Sequence, residues 1–75
     1  MDWQRHITID PNICHGQACV AGTRILVSVV LDNLAAGVPY DEIIASYPRL
    51  TSEGIQACNA YAADLAREEV VGLPA

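Results

Sequence analysis

The sequence predicts a mainly α domain: three helices, the last two in a helix-turn-helix arrangement, behind a small N-terminal β-hairpin element. Three observations lead there. With 75 residues the chain has room for one small domain. Its first third sets short apolar arms between Gly and Pro turns. From Val27 onward the apolar residues recur at steps of three and four, the period of an amphipathic helix.

The β element spans about residues 6–26. His6-Ile7-Thr8-Ile9-Asp10 alternates polar and apolar residues, as a short half-buried strand does, and Pro11 and Asn12 turn the chain. In Ile13-Cys14-His15-Gly16-Gln17-Ala18-Cys19-Val20, two apolar arms flank a Gly-containing segment, which predicts a hairpin between them. Gly22 marks another turn. Helix one is expected over about 27–36, with Val27, Val30, Leu31 and Leu34 as its stripe, Ser28, within two residues, as its cap and Gly37 as its stop. Val29 and Val30 are poor helix formers, so packing must hold this helix. Helix two is expected over about 40–47. Pro39 suits its first turn, Asp41 and Glu42 suit its positive end, Ile43, Ile44 and Tyr47 form its buried side, and Pro48 ends it. After the short turn Pro48-Arg49-Leu50, helix three starts near Thr51 or Ser52 and runs to about 68, burying Ile55, Cys58, Ala62 and Leu65. Residues 70–75 are expected to fray.

Composition narrows the function. The net charge is -5, there is no lysine, and Arg5, Arg24, Arg49 and Arg67 are dispersed. No basic patch is written, which argues against a strong free-standing DNA binder and suits a partner that is itself basic. Hydrophobic residues make up 52% of the chain, more than one small core hides, so a two-fold homodimer is expected. The cysteines Cys14, Cys19 and Cys58 are odd in number and no leader is recognisable, which reads as reduced thiols. No apolar run reaches the roughly 20 residues that span a membrane. A cytoplasmic protein is expected.

Four blocks of residues resemble a known bacterial family. Cys14 to Ile25 reads CHGQACVAGTRI; Leu34-Ala35-Ala36-Gly37, Asp41-Glu42-Ile43-Ile44 and Tyr47-Pro48-Arg49-Leu50-Thr51 follow. At this spacing they are similar to the family termed domain of unknown function 433, over about residues 5–66. The resemblance implies a homeodomain-like helical fold with a small N-terminal β element, often in dimers. It also implies an antitoxin of a type II toxin–antitoxin pair, whose neighbouring toxin is often a PIN-like ribonuclease. The chain departs from the family at Gln17-Ala18, where members often carry lysine-proline, at Leu26, where proline is common, and at Pro39, where serine or threonine usually starts the helix. The missing lysine weakens the case for nucleic-acid contact.

Individual residues follow from these readings. Gly22, Thr23, Arg24, Gly37 and Pro48 are expected to be structural, with the Arg24 fork tying the β element to the helices through carbonyls or a carboxylate such as Asp10 or Asp32. Its other reading is a phosphate or partner-carboxylate contact. Arg49, Thr51, Ser52, Gln56 and Asn59 are the candidates for reading DNA from the start of helix three, against Glu53 and Asp64 on the same helix. DNA contact by the lone chain is expected to be weak. Trp3, Leu65, Val70, Val71 and Leu73 are candidate apolar anchors for a partner, with Arg67 reaching its carboxylates. The same residues would equally complete a dimer.

Cys14, His15 and Cys19, with His6, lack zinc-site spacing and read instead as small buried hydrophobes and turn residues. A Cys14–Cys19 disulfide fits a hairpin but not a reducing cytosol. No nucleophile–base set, carboxylate pair or phosphate loop is present, so neither catalysis, cofactor nor metal is expected. The expected function is therefore a dimeric antitoxin-like protein that neutralises a PIN-like ribonuclease and autoregulates its operon. The alternative is a stand-alone helix-turn-helix transcriptional regulator.

Overall fold

The computed structural model describes the backbone of residues 1–70 and the side chains of residues 1–67. A 3₁₀ turn at Trp3–Arg5 leads into β1 (Ile7–Thr8). A second 3₁₀ turn, Cys14–Gly16, precedes β2 (Cys19–Val20). Three helices follow: α1 (Val27–Ala35), α2 (Tyr40–Ser46) and α3 (Ser52–Val70). The mainly helical prediction holds, and each helix lies within a residue or two of the expected bounds. Val70, expected in the frayed tail, is still helical, whereas Val71 and Leu73 lie outside the described residues. No helix among the described residues is long and apolar enough to cross a membrane.

The predicted hairpin is displaced by one segment. β1 pairs antiparallel with β2, with Ile7 opposite Val20 and Thr8 opposite Cys19, so Ile13-Cys14 is not a strand. The reason is local. Cys14 and His15 have φ of 52° and 55°, in the left-handed region, and the turn closes on itself. Gly16 N–H donates to the Ile13 carbonyl at 3.1 Å and Gln17 N–H to the Cys14 carbonyl at 3.0 Å. Those carbonyls are no longer available to a ladder with β2.

β2 makes its tight hairpin on its other side instead. The chain reverses through Ala21-Gly22, with Gly22 at φ 79° and Thr23 N–H on the Val20 carbonyl at 3.1 Å. A non-glycine residue would be strained there. The return arm bonds back through Val20 N–H to the Ile25 carbonyl at 2.9 Å, and a bridge joins Cys19 to Leu26.

That return arm also starts α1. The first helical N–H, on Val27, donates to the Ala18 carbonyl at 3.0 Å. Leu26 occupies the cap position with no side-chain cap bond, and Ser28 lies exposed inside the helix. Ser28 is therefore not the cap, because a strand carbonyl satisfies the helix end that a hydroxyl would otherwise serve. At the other end Gly37, φ 82°, closes a Schellman motif. Its N–H donates to the Leu34 carbonyl at 3.0 Å, and Val38 N–H donates to the Asn33 carbonyl at 3.0 Å.

α2 carries Asp41 and Glu42 in its first turn, where the helix dipole favours them. It ends before Tyr47-Pro48-Arg49-Leu50, a turn closed by Leu50 N–H on the Tyr47 carbonyl at 2.8 Å. Thr51 caps α3 by accepting from Gly54 N–H at 3.0 Å. The core draws on both strands and all three helices. Ile7, Val20, Val27, Val30, Ile43, Leu50, Ile55, Ala57 and Cys58 pack together, and Trp3, Leu31, Leu34 and Tyr61 close over them. Leu65 departs from the predicted stripe: it is 45% exposed, because α3 outruns the core it covers.

Candidate functional site

Trp3 builds the first feature. The Trp3–Arg5 turn lays its indole across the second half of α3. Its Nε1–H donates to Asp64 Oδ2 at 2.6 Å, and its ring meets Tyr61 edge-on, centroids 4.9 Å apart at 76°. The other carboxylate oxygen of Asp64 accepts from Arg67 Nη1 at 3.0 Å. Trp3, Gln4, Tyr61, Asp64, Leu65 and Arg67 together line an open cleft of about 440 Å³.

Tyr61 also lines a second open cleft of about 420 Å³, with Ile9, Gln17, Ala18, Ser28 and Leu31. The two clefts meet at Tyr61, and Ile9, 57% exposed, and Leu65 stand at their margins. The apolar lining residues of the two clefts, with Tyr61 common to both, form a strip between the N-terminal segment and α3 that also carries Gln4, Gln17, Ser28, Asp64 and Arg67. Three predicted partner-binding residues, Trp3, Leu65 and Arg67, come together here. The side chain of Val70 and all of Val71 lie outside the described residues. Arg67 already pairs with Asp64 of its own chain rather than standing ready for a foreign carboxylate.

The predicted DNA-reading residues form a second group. Arg49, Thr51, Ser52, Gln56 and Asn59 are all exposed at the α2–α3 turn and along the first half of α3. Two of them already have partners: Thr51 caps the helix, and Asn59 Nδ2 donates to the Tyr40 hydroxyl at 3.1 Å. Helical spacing points Gln56 and Asn59 to nearly the opposite side of α3 from Tyr61 and Leu65.

The junction between strand and helix is held differently from the expectation. Arg24 is exposed, and among the described residues its guanidinium has neither an ion pair nor a hydrogen bond; Asp10 instead accepts from Asn12 N–H at 2.8 Å. Thr23 does the tying. Its hydroxyl donates to the Val20 carbonyl at 2.8 Å and accepts from Ile25 N–H at 3.0 Å. A short hydroxyl at the turn reaches both strands, whereas a long guanidinium on the outside of the turn stays in water.

Two thiols back onto the same turn. Cys19 Sγ donates to the Thr23 carbonyl at 3.8 Å, and Cys14 Sγ donates to the next carbonyl, that of Arg24, at 3.7 Å. All three cysteines are free thiols. Burial and its contact with the Cys14 thiol push the Cys19 thiol up, and the nearby Arg24 charge opposes this. Burial pushes Cys58 up to about 11. Among the described residues, no three His, Cys, Asp or Glu side chains gather as a metal-binding group.

Sequence reasoning missed Tyr61, Asp64 and Ile9 as surface-forming residues. The spacing of Tyr61, Asp64 and Leu65, three and four apart, was a signal for one helix face. The approach of Trp3 from 61 residues away was not.

These features define a small, mainly helical protein with a two-stranded antiparallel sheet and an apolar strip across Tyr61. The chain belongs to the DUF433 family: the family described as Protein of unknown function (DUF433) matches residues 7–62. The chain is also similar to a DUF433 member protein from Anabaena variabilis whose crystal structure is known. The two are 35% identical with a TM-score of 0.76, over 87% of this chain and 64% of that one. The chain thus spans less than two thirds of that protein's length. No curated protein matches it.

Proposed function

We propose that this protein is an antitoxin-like binding protein, which neutralises a PIN-like ribonuclease by covering the basic rim of its RNA site and, as a complex, autoregulates its operon. The single observation that carries the reading is the Trp3–Tyr61–Leu65 cleft. Rigid aromatic anchors in a partly solvated apolar strip are what a protein interface uses at its centre. The net charge of -5 supplies the complementary field, which speeds encounter with a basic partner. Asp64 adds an acid to the cleft itself, although Arg67 offsets part of its charge.

The test is co-expression with the product of the adjacent gene, followed by a ribonuclease assay at equimolar ratio. The protein should co-purify and suppress cleavage. If the nuclease keeps full activity, the reading is wrong. A homodimer is the competing occupant of the strip; sedimentation of the lone protein, repeated with a Leu65→Glu variant, separates the two.

A second reading is a helix-turn-helix regulator acting through α3. It is supported by the exposure of Arg49, Thr51, Ser52, Gln56 and Asn59 around one tight turn. Against it, Asp41, Glu42 and Glu53 are exposed on the same two helices, while Arg49 is the one cation of that turn. Affinity for DNA rests mainly on neutralising phosphates, so the lone chain binds weakly at physiological salt. A band-shift titration with upstream DNA at two salt concentrations decides it: absent or salt-insensitive binding rejects the regulator.

A further inference from the structure

We propose that Cys14 and Cys19 form a peroxide-sensitive dithiol, closing an intramolecular disulfide that reshapes the cleft beside Tyr61. The placement of the sulfurs carries the proposal. Both thiols donate to consecutive carbonyls of one turn, Thr23 for Cys19 and Arg24 for Cys14, so the fold brings the two sulfurs to the same turn. Cys19 is fixed in β2, paired on one side with Thr8 and bridged on the other to Leu26, and is fully buried. Cys14 sits in the 3₁₀ turn and is half-buried, so a small oxidant reaches it first.

The chemistry balances with hydrogen peroxide as the oxidant. The Cys14 thiolate attacks one peroxide oxygen, forming an S–O bond as the O–O bond breaks. The departing hydroxide takes up the proton that the thiol released and leaves as water. The Cys14 sulfenic acid is then attacked by the Cys19 sulfur. An S–S bond forms, the S–O bond breaks, and the leaving hydroxide takes the Cys19 proton to give a second water. Two thiols lose two electrons and one peroxide gains them. The disulfide removes both thiol donors from the Thr23 and Arg24 carbonyls. It also pulls on Gly16, Gln17 and Ala18, which lie between the two cysteines and line the cleft. Cys58, buried in the helical core, takes no part.

The experiment treats the full chain with graded hydrogen peroxide, counts thiols after denaturation and maps peptides by mass spectrometry. The expected result is loss of two of the three thiols, a monomer lighter by two hydrogens, a Cys14–Cys19 linked peptide and full reversal by dithiothreitol. The Cys58→Ser variant should behave identically. The Cys14→Ser variant, changed at the half-buried position, should keep its thiols under the same treatment. Oxidation that stops at sulfinic acid on Cys14, links two chains, or pairs Cys58 overturns the proposal. So does retention of all three thiols at peroxide levels that oxidise free glutathione.

Discussion

The Trp3 indole N–H donates to the Asp64 carboxylate at 2.6 Å, joining residues 61 positions apart. This bond and the edge-on contact with Tyr61 hold the N-terminal segment on α3 and shape the proposed partner cleft. Trp3→Phe keeps most of the ring but loses the bond, and should cost about 1 kcal/mol. Trp3→Ala loses the packing as well, and should cost about 2–3 kcal/mol. Urea denaturation followed by circular dichroism measures both. A Trp3→Phe cost near zero would mean that the bond is idle, and equal costs for the two variants would mean that the ring packing is.

Thr23, not Arg24, ties the turn to the strands. Thr23→Val deletes the hydroxyl that serves the Val20 carbonyl and Ile25 N–H, and should lower stability by about 1–2 kcal/mol. Arg24→Ala removes an exposed side chain and should stay within about 0.5 kcal/mol. Melting temperatures of the two variants check this, and the opposite ranking would restore the arginine clamp.

Gly37 ends α1 in the left-handed region, at φ 82°, with open space around its Cα. Gly37→Ala therefore meets no clash and pays only the backbone penalty, about 1–2 kcal/mol. A stability change near zero would show that the turn relaxes to another conformation.

Leu65 is 45% exposed at the margin of the cleft. Leu65→Glu should leave the urea midpoint almost unchanged and weaken partner binding at least tenfold, because it puts an unpaired charge into an apolar contact. Calorimetric titration against the co-purified nuclease reads the effect. Unchanged affinity would move the interface elsewhere on the chain.

Burial raises the Cys58 thiol to about 11 from an ordinary 9.0. The folded state thus holds this proton longer than the unfolded chain does. Its contribution is fully present below pH 9.0 and is lost as pH rises towards about 11. Stability should fall in that window with a slope of up to about 1.4 kcal/mol per pH unit for this one proton. Cys19, also raised by burial, adds in the same direction. Urea midpoints for wild type and Cys58→Ala, from neutral to alkaline pH, should converge as pH rises.

Local signals in the chain were enough for the helices and most of their ends. The stripe of Val27, Val30 and Ile43, the Gly37 stop, the Pro48 break and the Thr51 cap each act over a few residues, so each is legible in order along the sequence. Local signals failed where two distant segments compete for the same backbone groups. The Ile13-Cys14 arm looked like a strand, but β2 found Ile7–Thr8 on one edge and Ile25-Leu26 on the other. Ser28 looked like a cap until the Ala18 carbonyl took that place.

The candidate surfaces divide in the same way. The exposed face of Thr51, Ser52, Gln56 and Asn59 follows from helical spacing and could be read directly. The cleft across Tyr61 could not, because Trp3 reaches α3 only once the N-terminal turn has folded back over the core. What the sequence alone determined is the helical register, the turns, the acidic charge and the family. What tertiary structure decided is which strand pairs with β2, that Thr23 and not Arg24 pins the junction, and that Trp3, Tyr61 and Leu65 share one surface. Periodicity and capping are set by neighbours a few residues away, whereas pairing and shared surfaces depend on segments that meet only when the chain has folded.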